Sequence, residues 1–215
     1  MSRRFLIFFA LFILVPPCLH AGGWNNTLMG WKALGLGGAF VAVADDPSAV
    51  YHNPAGLVFQ KENINFSIGG YSVRPTHVYI MPTGERAQSE LDSSLPQFFL
   101  SFRSSEKLTW GFGFYVPFAG GGVDWKEDEL GYPFKSTLGI YALTPTLAYQ
   151  FSDKLSIGLN LSFYRGLLNV DMVSEESGPV KTEEKGSAFS AGLGLMLRPS
   201  EKIGIGLNIR GPSRM

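Results

Sequence analysis

The sequence predicts an all-β protein, a transmembrane antiparallel β-barrel that follows a small N-terminal helical plug. Three observations lead to this fold class. About seven segments, each of roughly ten residues, alternate apolar with small or polar residues. Long and short links alternate between these segments, and the chain begins with an export signal. The predicted organisation is a signal peptide at 1–21, the plug at 22–60 and barrel strands at 61–215.

The first segment of the chain has the three parts of a secretory signal peptide. Arg3 and Arg4 supply the positive charge, residues 5–15 are apolar, and Ala21 is a small residue before the expected cleavage point. A twin-arginine signal and a lipoprotein signal at Cys18 are weaker alternatives, because the apolar region is very hydrophobic and prolines precede the cysteine. Cleavage removes the only cysteine, so we expect no disulfide bonds in the exported chain.

Composition narrows the class of protein. Of the 215 residues only 17% are charged, whereas glycine (26 residues) and phenylalanine (17 residues) are abundant. This charge content is low for a soluble globular protein, yet no long apolar run follows the N-terminus, so helical membrane spans are not expected. The formal net charge is zero and there is no basic patch, which argues against a nucleic-acid partner.

The stretch 34–57 is interrupted by glycines and prolines but is otherwise apolar, which predicts a compact plug. Three glycines can adopt backbone angles closed to other residues: Gly35, Gly37 and Gly38. The run Asp45-Asp46-Pro47-Ser48 predicts a turn into a short helix, with an aspartate as the N-cap and the proline in the first turn. Pro54 disfavours helical angles at Asn53, and Gly56 is expected to provide the helix exit.

The alternation is clearest at 108–118, where six large apolar residues share one face and mainly small or polar residues share the other. The apolar set is Leu108, Trp110, Phe112, Phe114, Val116 and Phe118. The same pattern recurs at 155–164, 189–197 and 203–210, and in weaker form at 64–71, 98–103 and 138–151. Roughly ten residues is the length that a tilted strand needs to cross a bilayer.

Short charged links join some strands, and long links join the others. The short links are 104–107, 152–154 and 199–202, and the long links are 74–95, 119–136 and 170–186. This alternation is typical of membrane barrels, which have short periplasmic turns and longer external loops. A soluble β-sandwich is the alternative, since it also alternates apolar and polar faces. The almost purely apolar face, the Gly, Ser and Asn residues opposite it, and the export signal favour the membrane barrel.

The plug resembles the N-terminal hatch of the FadL/TodX family of outer-membrane transporters for long-chain fatty acids and other hydrophobic compounds. The matching residues are Leu36-Gly37-Gly38-Ala39, Val43-Ala44-Asp45-Asp46, Ala49-Val50 and Asn53-Pro54-Ala55-Gly56-Leu57, in the family's order and spacing. The strand Trp110-Gly111-Phe112-Gly113-Phe114, with the apolar loop behind it, is also similar to the family. The resemblance extends over essentially all of the chain after the signal peptide.

The resemblance implies a hatch-gated channel for passive uptake of hydrophobic compounds across the outer membrane of a Gram-negative bacterium. It assigns the hatch to Gly37, Gly38, Asp45, Asp46, Asn53, Pro54, Ala55 and Gly56. The implied partners are outer-membrane lipid, hydrophobic small molecules such as fatty acids, and the barrel-assembly machinery. Family barrels have roughly fourteen strands, about twice the number predicted here, so we expect the chain to be the N-terminal half of a longer protein.

A candidate ligand pathway lies near the end of the 108–118 segment. Phe114, Tyr115, Val116 and Phe118 precede a glycine-rich link and form a candidate external entry. The alternative is that these residues simply face lipid. Two further candidates, Arg165 and Arg210, are expected to point into the lumen, where each would meet a ligand carboxylate or solvent.

The sequence predicts no enzyme, metal site or cofactor. Asp45 and Asp46 are better explained by helix capping than by a catalytic carboxylate pair, because no His, Lys or Ser is placed as their partner. His52 and His77 lack the spacing of metal ligands. No nucleophile motif such as G-x-S-x-G occurs, which argues against a lipid hydrolase. The alternative to transport is a structural or adhesive barrel.

Overall fold

A computed structural model of the protein describes residues 29–119, 122–126, 133–174, 178–200 and 202–214. The predicted signal peptide lies outside these residues. Short helices come first, and almost all of the remaining described chain is antiparallel β structure. The helices are α1 (Trp31–Gly35), α2 (Ala49–His52) and a 3₁₀ helix (Pro54–Phe59). Within the described ranges, no helix has the length and apolar character needed to cross a membrane.

The strands form one large sheet and one separate hairpin. They are β1 (Ile64–Val73), β2 (Thr76–Ile80), β3 (Arg86–Glu90), β4 (Ser93–Arg103), β5 (Leu108–Phe118), β6 (Gly122–Trp125), β7 (Phe134–Ser152), β8 (Leu155–Ser174), β9 (Gly178–Ser200) and β10 (Ile203–Arg210). The large sheet has the order β1-β4-β5-β7-β8-β9-β10, while β6 pairs with one end of β7 and β2 pairs with β3. Because β1 and β10 are the two ends of this order, the described strands form a partial, open barrel.

The prediction of an all-β, barrel-type wall with about seven long strands is confirmed. Large apolar side chains cover the outer face, and Phe163, Phe189 and Leu193 are each about half exposed there. The inner face carries small and polar side chains, of which Thr144 and Ser156 are fully buried. A soluble sandwich would bury the apolar face instead. The distribution is therefore that of a wall that faces lipid.

The three short turns lie where the sequence predicts them, but the prediction of long irregular loops is wrong in part. The link 74–95 contains the β2–β3 hairpin, and the link 119–136 contains β6. The link 170–186 consists mostly of strand, because β8 and β9 remain paired from Leu155↔Leu197 to Ser174↔Gly178. This extension carries charged residues on both of its faces, as in 181–185, so it lacks the alternation by which strands are recognised.

Residues 29–60, which we call the hatch, pack against the inner face of the sheet. Phe40, Val50 and Leu57 are fully buried and belong to the same apolar cluster as Phe99 of β4. The last hatch helix ends at Phe59, and β1 begins a few residues later. The hatch therefore provides the core that the small side chains of the wall cannot provide alone.

Gly56 does not provide the helix exit that the sequence predicts. α2 ends at His52, and Asn53 is extended (φ −163°), as expected before a proline. Pro54 then begins the 3₁₀ helix, so that Gly56 lies inside a helix. Glycine is required there by packing, because a Cβ at this position would lie 2.6 Å from the Cβ of Ala44.

Candidate functional site

The candidate site is the surface where the hatch meets the wall, and wall side chains bind the main chain of the hatch there. Three of them donate hydrogen bonds to successive carbonyls at the end of α2: Asn160 to Val50 (2.9 Å), Arg210 to Tyr51, and Asn208 to His52 (2.8 Å). The last carbonyls of a helix have no partner within the helix. The wall supplies those partners, and it therefore fixes the end of α2 in position.

Further wall donors bind the rest of the hatch main chain. They are Ser156 to Ala55 (2.7 Å), Arg198 to Val43 (2.5 Å), and Arg103 to Val58 (3.1 Å) and Gln60 (2.6 Å). In the other direction, the main-chain N–H of Gly30 donates to the side chain of Gln97 on β4 (2.8 Å). The hatch is thus bonded to β4 on one side and to β8, β9 and β10 on the other.

Asn53 is the fully buried residue on which these contacts centre. Its Nδ2 donates to the carbonyl of Val41 in the hatch (2.8 Å) and to that of Leu195 on β9 (3.1 Å). Its Oδ1 accepts from the main-chain N–H of Ala55 (3.2 Å) and so caps the start of the 3₁₀ helix. A single amide side chain therefore joins two parts of the hatch to the wall.

Glycines on the inner face allow the hatch backbone to approach the wall closely. A Cβ added at Gly158 of β8 would lie 2.7 Å from the Cβ of Pro54 and would overlap with the main chain at Pro54 and Ala55. A Cβ added at Gly194 of β9 would lie 2.8 Å from Cδ of Pro54. The glycines that oppose the apolar outer face are therefore part of the hatch-binding surface.

His52 is buried where the end of α2 meets the rest of the hatch. Its Nε2–H donates to the carbonyl of Met29 (2.6 Å), and its ring makes edge contacts with Phe40 (5.2 Å) and Tyr51 (4.9 Å). Burial lowers the pKa of His52 below its ordinary value of 6.5, the Met29 carbonyl opposes this shift, and the charge of Arg210 adds to it. The neutral ring is therefore the form that the docked hatch accommodates.

We expect the docked hatch to lose stability as the pH falls below about 6.5, towards the lower pKa that His52 has in the folded protein. The pKa of His52 is lower in the folded state, so the unfolded chain binds more protons in this range and protonation favours undocking. Amide hydrogen exchange in residues 49–56, measured as a function of pH and corrected for intrinsic rates, checks this. His52→Gln is the matched variant, because glutamine keeps an N–H donor but does not titrate. An equal pH dependence in both proteins would contradict the prediction.

A bulge in β5 opens the wall beside the hatch. β5 pairs with β4 only between Phe98↔Phe114 and Arg103↔Thr109, although β4 continues its pairing with β1 as far as Ser93. On the other side, the register between β5 and β7 shifts between Tyr115 and Phe118, where β5 contains one extra residue. A cavity of about 240 Å³ lies at this point, with Leu95 and Val116 in its lining.

The bulge explains the positions of the candidate pathway residues. The expectation that Val116 shares the apolar outer face is wrong: the extra residue reverses the alternation, and Val116 is buried. Tyr115 is also buried, stacks on Phe99 and donates to or accepts from Thr144 (2.9 Å). Phe114 stacks on the exposed ring of Tyr141, and Phe118 contacts Tyr164. Of the four candidates on β5, only Tyr115 and Val116 are therefore buried in the interior.

The two arginines lie on opposite faces. Arg210 is directed inward, where its guanidinium lies 3.9 Å from the centre of the Tyr51 ring and binds the end of α2. The expectation that Arg165 points into the lumen is wrong, because Arg165 shares the outer face with Phe163 two residues earlier and is exposed. Arg165 therefore cannot meet a ligand in the lumen.

The remaining hatch residues predicted from sequence have local roles. Gly37 and Gly38 adopt positive φ angles of 62° and 85°, which favour glycine. Asp45 forms an ion pair with Lys32 (2.6 Å), a partner that is distant in sequence. Asp46 Oδ1 accepts from the N–H of Ser48 (2.8 Å), so it stabilises the turn before α2, whose N-cap is Ser48.

Several side chains that hold the hatch were not predicted from sequence, among them Ser156, Asn160 and Asn208. Their positions on the small and polar face are evident, but their partners lie more than a hundred residues away. The sequence feature that could have identified them is an asparagine among glycines on the inner face of a strand. Such an asparagine needs hydrogen-bond partners when it is buried. The adjacent plug is the segment that offers free carbonyls.

Comparison with known proteins places this architecture in a family. The sequence profile of the outer membrane protein transport protein family (OMPP1/FadL/TodX) matches residues 24–210. A sequence comparison with functionally curated proteins gave no match.

Three solved structures have the same fold. The toluene transporter TodX of Pseudomonas putida is 17% identical with a TM-score of 0.67, and the match covers 91% of this chain and 56% of that one. A Pseudomonas aeruginosa FadL homologue is 16% identical (TM-score 0.58; 86% and 49% covered), and the CymD monoaromatic hydrocarbon channel is 16% identical (0.59; 86% and 53%). This chain thus spans about half the length of each. The family match, together with the hatch-filled wall, shows that the chain belongs to the outer membrane protein transport protein family (OMPP1/FadL/TodX).

Proposed function

We propose that the protein is a channel through which hydrophobic compounds, such as long-chain fatty acids, cross the outer membrane by passive diffusion. The observation that carries this proposal is the opening in the wall beside the hatch. The hatch occupies the inner face, so a solute that moved straight along the lumen would meet Asn53 and the end of α2. The cavity beside the β5 bulge, which is lined by residues of β4, β5, β7 and β8, offers a route to the side that leaves the hatch bonds intact.

The chemistry of this opening fits an apolar solute with a polar end. Its lining combines apolar side chains, such as Leu95, Val116 and Leu138, with the hydroxyls of Ser93 and Thr137. The apolar side chains would contact the hydrocarbon part of the solute, and the hydroxyls would orient its polar end. The hatch then acts as the gate of the axial path, and small movements near Tyr115 control access to the lateral path.

The experiment is uptake of labelled long-chain fatty acid and of toluene by cells that lack their own transporter and express the full chain. We expect uptake above the vector control. Val116→Trp fills the cavity and is expected to slow uptake severalfold, whereas Ala191→Trp on the exposed outer face leaves it unchanged. Ala119→Trp, at the less buried edge of the cavity, is a second variant should the first fail to assemble.

A structural or adhesive barrel without transport is the alternative function. Cells that express the properly inserted chain would then take up no more of either solute than the vector control. Equal uptake by wild type and by both cavity-filling variants would instead show that solutes do not use the cavity beside the β5 bulge.

A further inference from the structure

The continuous apolar band on the outer wall is interrupted at the same level on three neighbouring strands. On β8 every second residue from Leu155 to Phe163 is apolar, and the next residue on that face is Arg165. The strand register places Tyr141 of β7 opposite Arg165 on one side and Ser187 of β9 on the other. An aromatic hydroxyl, a guanidinium and a hydroxyl thus form one row above the apolar surface.

The height of the band identifies this row as the boundary of the membrane. Residues 155–163 rise about 3.3 Å each, and a tilt of about 40° gives them a height of roughly 23 Å along the membrane normal. The apolar band of such barrels is about 25 Å tall. β8 begins at the short turn 152–154 and ends at the long hairpin, so Arg165 lies at the external boundary.

The guanidinium of Arg165 has unused hydrogen-bonding capacity at this boundary. Its Nη1 donates to Oγ of Ser187 (2.8 Å), and no carboxylate in the described part of the chain lies within ion-pair distance. Lys185, the next residue outward on the same face of β9, is more than half exposed and lies 4.0 Å from Glu183. Lys185 is opposite Leu167, two residues after Arg165 on β8, so the two cations lie at successive levels of the outer face.

We propose that Arg165, with Lys185, binds the phosphate of an anionic lipid in the outer leaflet. A guanidinium offers paired donors that match two oxygens of a phosphate, and a neighbouring ammonium adds charge. The exposed rings of Phe163 and Phe189 lie directly below and would contact the acyl chains. The site therefore matches both parts of a lipid: the cations lie at the level of the headgroup, and the aromatic rings lie at the level of the acyl chains. This inference concerns the outer face and is independent of transport.

The test uses the full chain in nanodiscs of phosphatidylcholine that contain either lipid A or its dephosphorylated form, and lipids retained by the protein are quantified by native mass spectrometry. We expect wild-type protein to retain lipid A about tenfold better than the dephosphorylated lipid, with a preference that weakens as salt is added. Arg165→Gln is expected to abolish the preference. Arg165→Lys, which keeps the charge but loses the paired donors, is expected to restore part of it.

Lys107→Gln is the matched control, because Lys107 is an exposed cation in the short turn at the opposite rim. It is expected to keep the preference, and far-UV circular dichroism shows whether each variant retains its β structure. Equal retention of both lipids by wild type, or a preference that survives in Arg165→Gln, would overturn the proposal and leave Arg165 as a cation hydrated by external water.

Discussion

Replacing Asn53 by alanine is expected to destabilise the docked hatch by about 3 kcal/mol, the largest effect among single substitutions in the hatch. The change removes both donors to the carbonyls of Val41 and Leu195 and the acceptor of the Ala55 N–H. These groups lie in a closed contact surface, and buried groups left without partners lose the hydrogen bonds that water would give them. Amide exchange in residues 49–56 should become about a hundredfold faster.

Asn65→Ala is the control for this change. Asn65 also donates through Nδ2 to a main-chain carbonyl, that of Glu62 (2.9 Å), but it does so on the exposed surface, where water replaces the bond. We expect exchange within the hatch to be the same as in wild type. If Asn53→Ala left the exchange rates within about threefold of wild type, the central role of Asn53 would be wrong.

Gly158→Ala is expected to displace the hatch and to destabilise its docking by about 2–3 kcal/mol. The added methyl group would overlap with main-chain atoms of Pro54 and Ala55, which cannot rotate away as a side chain can. The 3₁₀ helix must therefore move about 1 Å from the wall. That movement stretches the bond from Ser156 Oγ to the Ala55 carbonyl. Thermal denaturation and limited proteolysis of the hatch measure the loss.

Gly139→Ala on β7 separates this effect from the general response of strand glycines to substitution. The nearest atom to a Cβ at Gly139 is on the Tyr141 ring at 3.7 Å, an ordinary van der Waals distance. The stability of the Gly139→Ala variant should equal or slightly exceed that of wild type, because alanine is less flexible than glycine in the unfolded chain. Similar losses in both variants would mean that the close approach at Gly158 does not limit packing.

Strands and faces could be predicted from sequence because they depend on local alternation. Where the alternation ended, prediction failed. The bulge in β5 adds one residue without any change in composition, so nothing in the pattern shows that Val116 turns inward. The inward position expected for Arg165 from the alternation is wrong, because Arg165 lies two residues after Phe163 and therefore shares its outer face. At the boundary of a membrane an arginine can reach water or headgroups, so its charge does not exclude that face.

The sequence predicts a plug at residues 22–60, but it does not predict the way in which residues 29–60 are held. Capping and stop signals are local, and the extended Asn53 before Pro54 follows directly from them. The hydrogen bonds to the wall join residues that are far apart in the chain. The periodicity of the sequence does not indicate which distant residues form such pairs. The ion-pair partner of Asp45 could not be identified from the sequence either, because Lys32 in α1 comes close to Asp45 only in the folded structure.

The sequence separations of these bonds also constrain the order of folding. The hatch is the first part of the described chain, yet its bonds to Ser156, Asn160 and Arg210 span 101, 110 and 159 residues. Such contacts can form only after β8 and β10 are in place, and contacts between distant residues form slowly. Docking of the hatch is therefore a late step of assembly. Until then its apolar surface remains exposed, which makes this intermediate prone to aggregation.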